Sequence, residues 1–531
     1  MRRGRPNIAR GATQEEPSMK QGWKRALVRR RLFVAVLILI QAAFLIYLIL
    51  STSQISEILR LLLTLVSIGT VLYIIGKPGD PNAKLSWVFL ILLAPIFGGL
   101  LYLLCSFQSD TAYVRRLMAS RNGALRPLFS LPNDASGHPD PSLAGSHAPL
   151  LRYVHAACGY PAYSGTTCEY LSPGQAFHAR ILEELEKAER YIFVEFFIIE
   201  EGRMWNSVLD ILERKAKAGL DVRVMYDDVG CFLTLPSDYQ RTLKEKGISC
   251  HKFHPFRPLL SAMHNQRDHR KILVIDGKVA FTGGANLADE YINAYEKHGY
   301  WQDAAVCLKG KAAWSFTLAF LQLWEYWEEL DLEKARALYP WQGESLPTEG
   351  SGLVQPYADS PMDKELTGQS AYLRIIQYAQ KYVYITTPYL IIDDILMSAL
   401  TLAAKSGVDV RIITPCVPDK PLVHRTTRSY YPELLAAGVK VYEFTPGFMH
   451  SKVFISDDFV ATVGSVNLDY RSLYHHFECG CLLYGCACIQ DIKADYLAVL
   501  EQCHLVNPAA CKGGPFKRLT QEVLRLFAPL M

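Results

Sequence analysis

HRKILVIDGKVAFTGGAN, residues 269–286, and HSKVFISDDFVATVGSVN, residues 450–467, are two copies of one pattern. Each fits His-x-Lys-x4-Asp: His269, Lys271 and Asp276 in the first, His450, Lys452 and Asp457 in the second. Gly283 and Gly464 follow their histidines by 14 residues, and Asn286 and Asn467 by 17. One such match arises by chance; two in register inside a longer repeat do not. The repeat extends upstream. AERYIFVEFFI, from Ala188, leads through a helical run to AGLDVRVMYDD; AQKYVYITTPYL, from Ala379, leads through another to SGVDVRIITPC. Continuous β-branched and aromatic runs suit strands covered on both faces, so each half reads strand, helix, Gly turn, strand. That order predicts parallel pairing with right-handed crossovers. The expected fold is α/β: two pseudo-symmetric α/β/α sandwich domains, at 161–345 and 346–531.

On a strand, residues two apart face the same side, so His269 and Lys271 should point together, as should His450 and Lys452. The Asn of each copy closes the next strand, where amide donors can meet an anion. Two half-sites then bring two histidines, two lysines and two asparagines around one centre. Lys271, Lys452, Asn286 and Asn467 suit the non-bridging oxygens of a phosphoryl group. The histidines suit a two-step transfer: one attacks phosphorus to give a phosphohistidine, and the other protonates the departing alkoxide and then deprotonates the incoming hydroxyl. Either histidine can take either role on this reading. The lysines supply the positive field, so neither a metal nor a cofactor is expected. Asp276 and Asp457 belong to the motif as catalytic candidates, yet at +7 they point away from the His/Lys face, and holding a turn is their other reading. His298, His475 and His476 read as packing or solvent-facing residues.

Composition bounds the class. Half of the 531 residues are hydrophobic and a fifth are charged, which excludes a disordered or collagen-like chain. The net charge is +4, but residues 1–31 hold ten Lys or Arg against two Glu. The remaining 500 residues therefore sum to −4, a poor balance for gripping nucleic acid. The basic stretch suits anionic lipid head groups, because apolar runs follow it at 32–50, 61–75 and 85–107. A span needs about 20 apolar residues, so N-terminal transmembrane helices are expected over 32–107, behind a basic cytoplasmic tail at 1–31. Basic residues on both sides of the region favour an even number of crossings. That places the chain in the cell membrane as a multi-pass protein, with its catalytic part cytoplasmic. Residues 108–160, rich in Pro, Gly and Ser, read as a linker. The thirteen cysteines lack framework spacing. Cys479, Cys481, Cys486 and Cys488 read as small apolar residues of a strand rather than as zinc ligands. Oligomeric state leaves no mark on the sequence.

The paired motif resembles that of the phospholipase D superfamily and, within it, of the bacterial-type cardiolipin synthases. FVEFFIIEEG (193–202), YDDVG (226–230), FTGGANLADEY (281–291), YWQDAAV (300–306), GFMHSKVFISDD (447–458) and GSVNLDYRSLYHHFE (464–478) carry the likeness. The resemblance implies phospholipase D-type domains and phosphatidyl transfer between two phosphatidylglycerol molecules, giving cardiolipin and glycerol. Membrane lipid is then the partner. It also implies His269 as nucleophile and His450 as general acid/base, with Glu478 orienting His269 and Asp303 orienting His450. The alternatives are a phospholipase D-type hydrolase, transfer with another donor or acceptor, and an inactive membrane scaffold. Degenerate copies lose a His or a Lys, and neither copy here has done so.

Overall fold

The structure, a computed structural model, describes residues 57–94, 98–99, 101–103, 109–131, 140–255, 265–324, 331–342, 346–511 and 514–530, with 39, 43 and 47. The basic tail at 1–31 lies outside these residues, as does nearly all of the 32–50 run.

The first half contributes β1 (Thr166–Leu171), β2 (Tyr191–Phe196), β3 (Asp221–Asp227), β4 (Ser249–Phe253), β5 (Lys271–Ile275), β6 (Val279–Gly283), β7 (Tyr300–Gln302) and β8 (Ala305–Gly310). Seven of them form a sheet in the order β1-β8-β6-β5-β2-β3-β4. The second half contributes β9 (Leu353–Asp359), β10 (Tyr382–Thr386), β11 (Leu390–Ile391), β12 (Asp409–Pro415), β13 (Lys440–Phe444), β14 (Gly447–Met449), β15 (Val453–Ser456), β16 (Val460–Gly464), β17 (Leu468–Asp469), β18 (Glu478–Tyr484) and β19 (Cys503–Leu505). Its main sheet runs β19-β13-β12-β10-β15-β16-β18-β9. Read backwards, this is the first sheet strand for strand, with β19 added at the edge.

The repeated strand–helix–strand units pair in parallel, β2 with β3 and β10 with β12. The motif strands instead form antiparallel meanders, β5-β6-β8 and β15-β16-β18. Their hairpin turns explain the difference. Asp276 and Gly277 have φ of 54° and 67°, and Asp457 and Asp458 have 55° and 60°. Two successive left-handed residues make the tight turn whose twist matches an antiparallel pair. Gly283 and Gly464 serve close approach: a Cβ on either would lie 2.5 Å from a carbonyl oxygen of the neighbouring strand, that of Ala304 or Cys479.

Each sheet is covered outside by helices. Arg203–Lys217 packs its Trp205, Val208 and Leu212 on the first sheet, and Asp394–Lys405 its Leu396 and Leu400 on the second. Between the sheets lies a third core with residues from both halves, including Phe193, Ile272, Val306, Met449, Val463 and Cys481. Helix Ala312–Trp324 contributes twelve buried residues, most of them to this core. Cys479 and Cys481 fill apolar sites of β18, and among the described residues the four clustered cysteines form no ligand group.

The stretch expected as a linker is largely helical: Ser109–Leu125, Arg126–Ser130, Pro141–His147 and Ala148–Cys158. Pro127, Pro141 and Pro149 sit in the first turns of these elements, where a missing N–H costs nothing. Proline there starts helices rather than breaking them. Leu125, Phe129, Leu150 and Val154 from this stretch are buried.

Ahead of it, helix Glu57–Gly76 packs against Pro81–Leu93, whose first turn is capped by the Asp80 carboxylate accepting from Ala83 N at 2.7 Å. No described helix is long and apolar enough to cross a membrane.

Candidate active site

The site is assembled by exchange between the halves. The His269 N–H donates to Phe477 O at 2.9 Å, and Phe477 N–H donates back to Arg267 O at 2.8 Å. The His450 N–H donates to Gln302 O at 2.8 Å, next to the parallel pairing of β7 with β14. Both histidines were expected on the motif strands. They stand just before β5 and β15, because their main chains pair across the halves instead of within their own sheets.

Side chains cross in the same way. His269 Nδ1 lies 2.9 Å from Oε1 and 3.0 Å from Oε2 of Glu478, which belongs to the second half. His450 Nδ1 lies 2.7 Å from Oδ2 of Asp303, which belongs to the first. Each carboxylate favours the Nδ1–H tautomer, which turns Nε2 to the chemistry; Nε2 of His450 has Lys452 Nζ at 3.2 Å. Lys271 Nζ donates to His269 O at 2.6 Å, and Lys452 Nζ to His450 O. The residues between, Arg270 and Ser451, turn the other way: Arg270 Nε pairs with Glu195 Oε1 at 2.6 Å, and Ser451 Oγ donates to Thr386 Oγ1 at 2.8 Å.

All four motif side chains are buried, and burial is the leading cause of their shifts. It pushes His269 well below the ordinary imidazole range, and Lys271, Lys452 and His450 push the same way. His450 is brought down to about 4, against the pull of Asp303. Lys271 falls to about 8 and Lys452 to about 7. Burial raises Asp303, but His450 and Lys452 outweigh it and hold the carboxyl low. The resting site is thus buried, with two neutral imidazoles and two lysines whose charged forms gain from an anion.

The family described as "Cardiolipin synthase, PLD-like domain" matches residues 181–312 and 372–499, one copy per half. The family described as "Phospholipase_D-nuclease N-terminal" matches residues 62–106. A cardiolipin synthase of Alkalihalophilus pseudofirmus is 34% identical over 88% of this chain and 92% of its own length. The chain belongs to the PLD-like cardiolipin synthase family. It is an enzyme of the phosphatidyltransferase class. An uncharacterized protein of Streptococcus mutans is 44% identical, over 87% of this chain and all of its own. Among solved structures, phosphatidylserine synthase of Haemophilus influenzae shares the fold at a TM-score of 0.55 and 16% identity, covering 69% of this chain and 95% of that one.

Within this cardiolipin synthase frame the structure brings His269, Lys271, His450, Lys452, Glu478 and Asp303 together. It places Asp276 and Asp457 beyond the far ends of β5 and β15. There Asp276 accepts from the N–H groups of Glu189, Arg190 and Tyr191 at 2.9, 2.8 and 2.8 Å. Asp457 accepts from Gln380, Lys381 and Tyr382 at 2.6, 2.9 and 2.9 Å. The asparagines differ. Asn286 is engaged by protein at both amide atoms, Oδ1 with Ile198 N at 3.0 Å and Nδ2 with Tyr291 OH at 2.7 Å. Asn467 Oδ1 is buried without a hydrogen-bond partner.

Several neighbours had no signal in the motif. Ser465 and Ser472 both donate to Glu478, Ser472 at 2.6 Å. Phe197 lies 5.0 Å from the His269 ring, and Trp301 and Tyr291 lie 5.2 and 5.4 Å from that of His450. His476 reads as packing in the sequence, yet its ring is 5.4 Å from that of His269 and neither ring nitrogen is hydrogen-bonded. His269, His476 and Glu478 bring ligand-type atoms within 4.8 Å of one another. The Glu478 oxygens in that trio already accept from His269 and two serines.

Proposed function

We propose that this chain is a cardiolipin synthase acting on two phosphatidylglycerol molecules. The single observation that supports this most is the crossed pairing of each imidazole with the other half's carboxylate. His269 Nε2 attacks the donor phosphorus. The bond from phosphorus to the glycerol oxygen breaks, and His450 gives that oxygen its proton. Free glycerol departs, leaving the phosphatidyl group on His269. The terminal hydroxyl of the second phosphatidylglycerol then loses its proton to His450 and attacks phosphorus. The P–N bond breaks and cardiolipin forms. Lys271 and Lys452 oppose charge on the non-bridging oxygens throughout. An incoming phosphodiester also offsets the lysine charge, which raises His450 towards the protonated state it needs as an acid.

Residues 32–107 anchor the enzyme in the cell membrane, and the two catalytic halves, 161–345 and 346–531, face the cytoplasm. Anchoring concentrates lipid acceptor at the mouth of the site. Incubating purified protein with phosphatidylglycerol should yield cardiolipin and glycerol one for one by mass spectrometry. Phosphatidic acid as the main product would instead mean hydrolysis. His269→Ala and His450→Ala should each lower turnover by on the order of 10³-fold, within the range for lost proton-transfer and covalent roles. Near-normal rate in either variant would end the two-histidine scheme.

A further inference from the structure

The last helix, Pro515–Phe527, sits on the molecule the wrong way round for water. Phe516, Leu519 and Val523 recur at helical spacing on one side, and all three are exposed, Phe516 by 82% and Leu519 by 62%. Of its charged residues Arg525 is turned inward, while Arg518 and Glu522 are exposed. Arg525 donates to Glu433 Oε2 at 3.1 Å, and its guanidinium lies 4.6 Å from the centre of the buried Tyr430 ring. In water an amphipathic helix docks by its apolar stripe and leaves its charges out.

The neighbouring N-terminal helices share the inversion. In Glu57–Gly76 the buried positions include Ser67 and Thr70, while Leu61, Leu65, Ile68 and Leu72 are exposed. A Cβ at Gly99 would lie 3.0 Å from Ser67 Oγ, a close approach of small residues usual where helices pack in lipid. The two inverted surfaces join. Ser86 Oγ donates to Leu526 O at 2.5 Å, the rings of Phe89 and Phe527 lie 6.0 Å apart, and Leu85, Phe89, Leu92 and Leu93 are exposed beside them. At the start of helix Pro81–Leu93, Asn82 Nδ2 donates to Tyr470 OH at 3.0 Å, three residues beyond Asn467. The apolar surface is thereby tied to the second half of the chain.

We propose that helix Pro515–Phe527 lies flat in the head-group layer of a phospholipid bilayer, with Phe516, Leu519 and Val523 among the acyl chains. Together with helices Glu57–Gly76 and Pro81–Leu93 it forms one lipid-facing surface, built from both ends of the chain. A helix with one apolar side settles at that depth, and its inward arginine holds it to the catalytic body. The inference requires a bilayer and not a reaction, so it stands apart from the phosphohistidine scheme.

The test uses the full chain in phosphatidylglycerol–phosphatidylcholine vesicles, with Leu519→Trp and Glu522→Trp introduced singly and the emission of the eight native tryptophans subtracted. Acyl-brominated phosphatidylcholine is the quencher. The added indole of Leu519→Trp should be quenched about twofold or more beyond that of Glu522→Trp. Equal quenching of the two would put lipid all round the helix and overturn the flat placement. A blue-shifted, unquenched indole in Leu519→Trp would mean that protein covers the face, and would overturn the proposal. A red-shifted, unquenched one would leave the helix in water and overturn it equally.

Discussion

Gly284 and Ser465 occupy the same place in the two copies, one residue after Gly283 and Gly464, and their difference is matched across the cleft. A Cβ at Gly284 would stand 2.2 Å from Asp303 Oδ1, whereas the Ser465 hydroxyl donates to the longer Glu478. Each histidine thus has a carboxylate cut to the space its own half leaves. Gly284→Ser should displace Asp303 and lower kcat by roughly 10²-fold through loss of His450 orientation, while lipid KM changes little. An unchanged kcat would show that Asp303 does not need that space. The lysines set a pH limit. With Lys452 near 7 and Lys271 near 8, kcat/KM should fall as pH rises through those values, because the phosphate loses its opposing charges. On the acid side it should fall as the attacking His269 gains a proton, at a pH well below the ordinary imidazole range. Lys452→Arg stays charged and should move the alkaline limb upward. A wild-type profile flat between pH 7 and 9 would contradict this. His476→Phe keeps the ring contact with His269 without its nitrogens. A normal rate would make His476 packing only, and a loss would give those unbonded nitrogens a part in holding substrate.

At the scale of the element, the strand–helix–strand repeats were legible because their runs are apolar throughout, and β2–β3 and β10–β12 pair in parallel as read. The place of the histidines was less so. His-x-Lys alternation marks a strand, but whether the strand's hydrogen bonds begin at the His or two or three residues later depends on Phe477 and Gln302, some 150–200 residues away in sequence. Composition likewise hid the helices of 109–158, since proline in a first turn and proline in a linker look alike. Asn286 and Asn467 match in the motif, yet only folded neighbours, Ile198 and Tyr291, distinguish them. Asp276 and Asp457 were legible as repeated residues and open in role. Each gathers three main-chain N–H groups at the entry to β2 or β10. Arg270 and the five residues of β5 separate Asp276 from His269, seven steps or roughly 23 Å at strand rise. Asp276→Ala should therefore cost about 2–3 kcal/mol of stability, the scale for hydrogen bonds to a charged group, and lower Tm by a few degrees. Turnover per folded molecule should stay within about twofold. A large loss of kcat at unchanged Tm would return Asp276 to the chemistry.

For the whole molecule the consequence of duplication is that neither half closes its own core. Each sheet keeps one face for helices of its own half, Arg203–Lys217 or Asp394–Lys405, and the other face meets a core to which both halves contribute. Phe193 and Ile272 share that core with Val463 and Cys481, and the imidazole–carboxylate pairs His269–Glu478 and His450–Asp303 lie across the same seam. Opening the seam would expose apolar surface of both sheets at once and would strand two buried carboxylates without their imidazoles. Loss of one half should therefore carry the other with it, and the two halves should unfold together despite being separate repeats. Calorimetry of the intact chain in detergent or vesicles should show one transition for residues 161–531. Asp276→Ala, in the first half, and Asp457→Ala, in the second, should lower that same transition by similar amounts. If the two variants moved two different transitions, the halves would be independent domains. The crossed imidazole–carboxylate pairs would then hold the active site together without support from a common core.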